Sequence, residues 1–214
     1  MFENRTDAGR QLAELLDERG VDADVVLAIP RGGLPVGRAV ADRLGIPLDV
    51  VVASKVGTPW NPELAIGAVA SDGTVWLNDE LIDDLELGDA TVERLVDDEH
   101  EKAEAKRDLY REDRPPLDLT GKEVLIVDDG VATGATVTAC LRSVRNAGAA
   151  RVLLAVPVGP PGPVERLREE ADAVIVVEVP QQFGAVGQFY HSFAQVSDEE
   201  ARTYLEPNGR DENE

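Results

Sequence analysis

Asp128 and Asp129 stand side by side after a short apolar run, Val124 to Val127, and lead straight into Gly130-Val131-Ala132-Thr133-Gly134-Ala135-Thr136. Adjacent carboxylates are hard oxygen acceptors, suited to sugar hydroxyls, to a divalent metal, or to both. The loop that follows has the opposite preference. Its small residues let backbone N–H groups approach an anion, Thr133 and Thr136 add hydroxyl donors, and a helix start just beyond supplies partial positive charge. A phosphate cradle beside two carboxylates describes a sugar phosphate with free ribose hydroxyls and Mg²⁺ nearby. It is not a Walker A loop, because no Gly-Lys-Ser/Thr is present.

Two further places could carry charge chemistry. Pro30-Arg31-Gly32-Gly33 follows the apolar stretch Asp24 to Ile29. Its glycines let backbone N–H groups face an anion, and Arg31 offers a fork of donors suited to a diphosphate. Lys55 is one of only four lysines in the chain and follows another apolar stretch, Pro47 to Ala53. A rare cation at the end of a strand is where a ligand is met in an open α/β sheet. Read alone, the first of these is equally a tight turn with a solvated Arg; for Lys55 a surface lysine is the alternative, and its place at a sheet end favours the ligand reading.

The elements that must position these groups are legible from hydrophobic spacing. Leu12, Leu15 and Leu16 give one apolar face to a helix from about Thr6 to Arg19, with Thr6 and Asp7 as capping oxygens and Gly20 as its stop. Asp24 to Ile29, Pro47 to Ala53, Val124 to Val127, Arg151 to Val156 and Ala173 to Val179 read as buried strands, because they are continuous rather than alternating. Helices lie between them: one carrying Val36, Val40 and Leu44, one carrying Val137, Cys140, Leu141 and Val144, and one near Pro163 to Glu170. Leu64 to Ala70 and Thr74 to Leu77 flank Ser71-Asp72-Gly73-Thr74 as a hairpin. Asn78 to Arg114 reads as two helices, the second a solvated, charge-laced helix from about Thr91 to Tyr110 with His100 on its surface. The alternation gives a mostly parallel α/β sheet with right-handed crossovers.

Val124 to Thr136 resembles the 5-phosphoribosyl-1-diphosphate (PRPP) signature of type I phosphoribosyltransferases: an apolar strand, Asp-Asp, then a Thr-Gly-x-Thr turn. The resemblance implies a type I fold, in which a mostly parallel twisted sheet is flanked by helices. It implies one domain over residues 1–207, a flexible flap over about 56–77 and a small hood over about 180–197. Under it, Asp128 and Asp129 hold the ribose hydroxyls, and touch Mg²⁺ only indirectly, while residues 130–136 clamp the 5-phosphate. Arg31, Gly32, Gly33 and Lys55 take the pyrophosphate, and Arg31 and Lys55 join the aspartates as the catalytic set. Glu63 lies in the flap and could assist, but a solvated carboxylate is the plainer reading.

Aromatic residues concentrate near the C-terminus, with Phe183, Phe189, Tyr190 and Phe193 in a chain that is only 4% aromatic. In the hood that the resemblance implies, Phe183, Phe189 and Tyr190 would stack on a planar acceptor. They serve equally as a minor core packing the C-terminal segment, and the sequence leaves both open. His191 is isolated and offers little as an acid or base. The wording Asn-Pro-Glu-Leu-Ala-Ile-Gly-Ala-Val and Phe-x-Ala-Val-Gly also resembles a predicted phosphoribosyltransferase subgroup with no assigned acceptor, and departs from the purine and orotate enzymes. The expected reaction is transfer of phosphoribosyl from PRPP to a nucleobase or amine. A PRPP or nucleotide sensor, or a hydrolase or phosphorylase of a phosphoribosyl compound, would use the same residues; the cations Arg31 and Lys55 favour an enzyme.

Composition narrows the setting. The chain has 214 residues, with 42 Asp plus Glu against 21 Lys plus Arg, a net charge of −21. A surface this acidic argues against nucleic-acid partners, which need a basic footprint. Together with the scarcity of lysine it suggests a halophilic cytoplasm, where salt screens self-repulsion. Cys140 is the only cysteine, so neither a disulfide nor a thiolate zinc cluster can form within the chain, and its place on an apolar helical stripe suits a small buried hydrophobe. No signal peptide and no membrane-length apolar run is seen, so a cytoplasmic protein is expected. A homodimer is the default assembly, and the tail 208–214 is expected to be disordered.

Overall fold

The apolar run before the aspartates is β6 (Glu123–Val127), the middle strand of a five-stranded sheet in a computed structural model that describes residues 1–111, 114–115 and 117–206. Its neighbours are β1 (Val25–Ala28) and β7 (Arg151–Val158), with β2 (Leu48–Val50) and β8 (Ala173–Glu178) at the two edges. All five strands are parallel. Both faces of the sheet are covered, which is why the strands read as continuous apolar runs. Val124 and Ile126 pack with Val137, Cys140, Leu141 and Val144 of α5 (Ala135–Asn146). Leu125 and Val127 pack on the opposite side, with Leu12 and Leu16 of α1 (Arg5–Glu18) and Val36 and Val40 of α2 (Gly33–Leu44). The helices α1 and α2 approach so closely that a Cβ on Gly9 would lie 2.8 Å from the Val36 carbonyl oxygen.

Strand order places the site. From β1 the chain steps outward to β2, and later enters β6 on the other flank of β1. The order therefore reverses between β1 and β6, which is where open parallel sheets bind ligands, outside the carboxyl ends of the strands. Ala28 is in register with Val127, so the Pro30–Gly33 turn and the Asp128–Thr136 loop leave the sheet as immediate neighbours.

Several sequence expectations shift. The stretch Pro47 to Ala53, expected as one strand, divides: β2 ends at Val50, and β3 (Ala53–Thr58) belongs to a second, antiparallel sheet with β4 (Asn61–Ala70) and β5 (Val75–Leu77). Continuous burial hid this boundary, because Val51 and Val52 stay in the core while the chain changes sheet. The expected hairpin at Ser71–Thr74 is the β4–β5 turn, and a second hairpin, β3–β4, turns at Pro59-Trp60. This sheet has its own small core of Val56, Ile66 and Val69 with Val92. Asn4, rather than Thr6 or Asp7, caps α1 by accepting the Asp7 backbone N–H at 2.9 Å.

The two expected helices before Arg114 are α3 (Asp79–Asp84) and α4 (Asp89–Arg111). His100 of α4 is not a plain surface histidine, since its Nε2 is buried and has no hydrogen-bond partner among the described residues. α6 (Pro161–Glu170) starts two residues earlier than the spacing suggested, because proline is well suited to a first helical turn. A short α7 (Asp198–Thr203) follows the aromatic segment. The tail 208–214 lies outside the described residues. Among the described residues, no helix is long and apolar enough to cross a membrane.

Cys140 is fully buried, and burial pushes its thiol well above the usual range. A thiolate-directed reagent is therefore expected to label the native protein at least about a hundredfold more slowly than the denatured chain, since labelling needs local opening. Time-resolved labelling followed by mass spectrometry checks this, and equal rates would mean that α5 does not pack as described.

Candidate active site

The loop Gly130–Thr136 curls from the end of β6 into the first turn of α5. Gly134 makes the turn possible: its φ of +88° is left-handed, a region that residues with a Cβ adopt only under strain. Beside the loop lies a cavity of about 280 Å³ lined by all seven residues from Gly130 to Thr136, together with Asp128, Lys55, Glu63, Val137 and Val186. The first N–H groups of a helix have no partner within it, so α5 turns donors and a positive dipole end towards the cavity, a setting suited to an anion. Thr133 and Thr136 share the wall, as the spacing implied.

The two aspartates part company. Consecutive side chains in extended backbone point to opposite sides, and only Asp128 lines the cavity. Its carboxylate accepts the Asp129 backbone N–H at 2.8 Å. Burial pushes its pKa well up, and the neighbouring Asp129 charge adds to the rise. Asp129 instead receives the Arg5 Nε at 2.7 Å and lies against Gly32, where a Cβ would come within 2.0 Å of Oδ2. Burial raises the pKa of Asp129 as well, and Arg5 opposes that rise.

Gly33 touches Asp128, its would-be Cβ lying 3.2 Å from Oδ1, so the Pro30–Gly33 turn borders the cavity from behind the carboxylates. Arg31 does not line the cavity; its Nη1 lies 3.8 Å from Asp198 of α7. Lys55 does line it, and donates to Glu63 across the β3–β4 hairpin at 2.8 Å. Glu63 is exposed, as expected of a solvated carboxylate, yet it shares the cavity wall and holds the lysine.

The aromatic segment resolves towards packing. Tyr190 is buried; its ring sits 5.3 Å from that of Phe2 and 4.9 Å from that of Phe193, and its hydroxyl donates to the Asp129 carbonyl at 2.6 Å. That ring offers no open face to an acceptor, so the stacking role expected for Tyr190 is corrected. Phe183 and Phe189 stack on each other at 5.4 Å, and neither lines the cavity; Val186 is the residue of this segment that does.

Three residues escaped the sequence reading. Val186 lacked any chemical signal. Arg5 lies 124 residues from its partner Asp129, and nothing local announces the pairing. Lys106 was visible in principle: Ala103, Lys106 and Tyr110 follow +3 and +4 steps along the buried stripe of α4. Its ammonium donates to the Pro30 carbonyl at 3.0 Å, and burial, helped by the Arg31 charge, pulls its pKa down.

Among the described residues, no group of three or more His, Cys, Asp or Glu could hold a metal by itself. The donor set nevertheless fits Mg²⁺, a hard ion usually bound through one or two carboxylates plus substrate phosphates and water. Asp128 is the carboxylate in place for it.

Comparison with known proteins identifies the fold and the family. The phosphoribosyl transferase domain family matches residues 3–194. A Mycobacterium tuberculosis H37Rv protein named, provisionally, as a phosphoribosyl transferase (Rv0571c) is 43% identical over 211 residues, which is 99% of this chain and 48% of that protein. The chain thus spans about half the length of the curated relatives it matches. The crystal structure of TT1426 from Thermus thermophilus superposes with a TM-score of 0.80 at 43% identity, covering 96% of this chain and 97% of the other. AQ2163 from Aquifex aeolicus, at 14% identity, 96% and 87% coverage and a TM-score of 0.53, shares the fold. With the matched domain spanning the parallel sheet, the loop 130–136 and most of the aromatic segment, the chain belongs to the phosphoribosyl transferase domain family.

Proposed function

We propose that the chain transfers the 5-phosphoribosyl group of PRPP to a small acceptor, a nucleobase or an amine, and releases pyrophosphate. The observation that carries this reading is the cavity itself, which sets the helix-start loop 130–136, a carboxylate and a cation around one space. The loop N–H groups and the hydroxyls of Thr133 and Thr136 bind the 5-phosphate. Asp128 accepts hydrogen bonds from the ribose hydroxyls, and its negative charge favours the positive charge that grows on the sugar as the bond to pyrophosphate breaks. Lys55 and the N–H groups of Gly32 and Gly33 meet the pyrophosphate, with Arg31 joining once it leaves Asp198. Glu63 releases Lys55 to the pyrophosphate when substrate arrives. Asp128 would help to hold Mg²⁺, which would supply neutralisation of the leaving charge when bound. The remainder of the rate enhancement is positioning and exclusion of water by the β3–β4 hairpin.

Isothermal titration of the protein with PRPP, in the presence and absence of Mg²⁺ and at high salt to screen the net charge, tests the reading. Mg²⁺-dependent binding is expected, with Kd in the range typical of enzyme substrates, about 1 μM to 1 mM. Absence of binding at every salt concentration would leave an α/β phosphate binder whose ligand is not PRPP. Pyrophosphate release without any acceptor would turn the reading to hydrolysis.

A further inference from the structure

We infer that Lys106 is a positioning residue for the pyrophosphate end of the ligand: from α4 it holds the Pro30–Gly33 turn by its first carbonyl and sets a second cation beside Arg31. The inference deepens the PRPP reading above and rests on it for what the turn meets.

Of the four lysines in the chain, Lys55 and Lys102 pair with carboxylates, Glu63 at 2.8 Å and Glu99 at 2.6 Å. Lys106 has no carboxylate partner among the described residues, and its ammonium donates to the Pro30 carbonyl at 3.0 Å. A lysine on a solvated helix ordinarily lays its stem along the surface and leaves its charge in water. This one follows the stripe of the buried Ala103 and Tyr110 and turns its charge inward. Taking an ammonium out of water without a paired counter-charge is unfavourable. The Arg31 charge nearby makes it more so, and Asp198 and Asp128 offset only part. A neutral donor would have met the carbonyl without that penalty. An anion of several charges docking against the turn gives the buried cation its use, since Arg31 and Lys106 attract it together.

The hydrogen bond has an effect of its own. The Pro30 carbonyl and the Arg31 N–H belong to one planar peptide unit, so fixing the oxygen fixes the direction of that N–H. The Arg31 N–H has no acceptor among the described residues. One helical turn beyond Lys106, Tyr110 donates to Asp198, the same carboxylate that the Arg31 guanidinium approaches at 3.8 Å. α4 therefore grips the turn at its main chain directly and at its arginine through Asp198. Lys106 does not line the cavity, so it acts through the turn rather than on the ligand.

The test is calorimetry in Mg²⁺ with PRPP, inorganic pyrophosphate and ribose 5-phosphate, joined to amide hydrogen exchange at residues 31–34. Lys106→Met is expected to weaken PRPP and pyrophosphate at least about 10-fold, as loss of a charged hydrogen bond would. It should leave ribose 5-phosphate within about 2-fold, because that ligand lacks the end that the turn meets. Exchange at 31–34 should quicken. Lys106→Arg keeps the charge and the donors and should recover most of the pyrophosphate affinity. Lys102→Met removes the same charge from the solvated side of the same helix and should match wild type. Where the methionine variant melts early, Lys106→Gln stands in for it, with the same selective loss expected. The inference is overturned if pyrophosphate affinity is unchanged, if all three ligands weaken alike, or if Lys102→Met has the same effect. Wild type that binds pyrophosphate but not PRPP overturns the donor reading alone; wild type that binds neither overturns both.

Discussion

Asp128→Asn is expected to destroy substrate binding and to make the protein more stable at neutral pH. The first effect follows from the loss of the aspartate that faces the cavity, together with the hard donor offered to Mg²⁺. A loss of at least about 100-fold in PRPP affinity corresponds to about 2.7 kcal/mol. The second effect follows from burial. Asp128 has a folded pKa well above its ordinary value, so the folded state holds its proton more tightly than the unfolded chain does. Stability then falls as pH rises from the ordinary carboxylate range through the raised value. Asparagine keeps the oxygen that accepts the Asp129 N–H and carries no charge. A gain of about 1–2 kcal/mol at pH 7, vanishing near pH 4, is expected, as at other sites where function is kept at a cost to stability. Urea melts at the two pH values check it, and an equal or lower midpoint at pH 7 would show that Asp128 is not the strained member of the pair.

Gly32→Ala should be the most damaging of the small substitutions. A Cβ there would lie 2.0 Å from Asp129 Oδ2 and 2.6 Å from its Cγ, far inside contact distance. The carboxylate cannot simply rotate away, because Arg5 holds it. The turn must move instead, and Gly33 is equally confined, its own Cβ position lying 2.8 Å from the Val127 carbonyl. We expect a stability loss of about 2–3 kcal/mol, in the range for overpacking a tight site, and a PRPP affinity lowered at least about 30-fold. Gly88→Ala is the matched control, since nothing lies within 4 Å of its Cβ position and it should melt as wild type does. A Gly32→Ala protein that binds PRPP normally would remove the Pro30–Gly33 turn from the leaving-group site.

What the sequence disclosed and what it hid divide along chain separation. The strand, loop and helix from Val124 to Asn146 were legible because local spacing determines each of them: an apolar run, small residues, then a 3.6-residue stripe. The same holds for Pro30 to Gly33 and the helix behind it. Arg5 could not be found that way, because its partner is a distant residue brought near only by the packing of α1 over the sheet. Tyr190 could be read as packing or as a ligand face, and only its contacts with Phe2 and Asp129 decide in favour of packing. The split between β2 and β3 was masked by residues that are buried in either sheet. Lys106 could have been read from its place on the buried stripe of α4, but the charges around it on the same helix drew attention to the solvated face instead.

The pairing of β1 with β6 has a consequence for how such a site can diversify. The turn after β1 and the loop after β6 are set apart by one ladder of main-chain hydrogen bonds, about 4.8 Å wide. Under the proposed function, that spacing would act as a fixed caliper for a donor carrying phosphate at both ends, whatever side chains surround it. The parts around its other sides are of separate make: an antiparallel sheet with its own small core, and a C-terminal aromatic segment whose backbone pairs with residues 2 and 3. Drift or deliberate grafting can therefore rewrite the acceptor side piece by piece while the caliper keeps its setting.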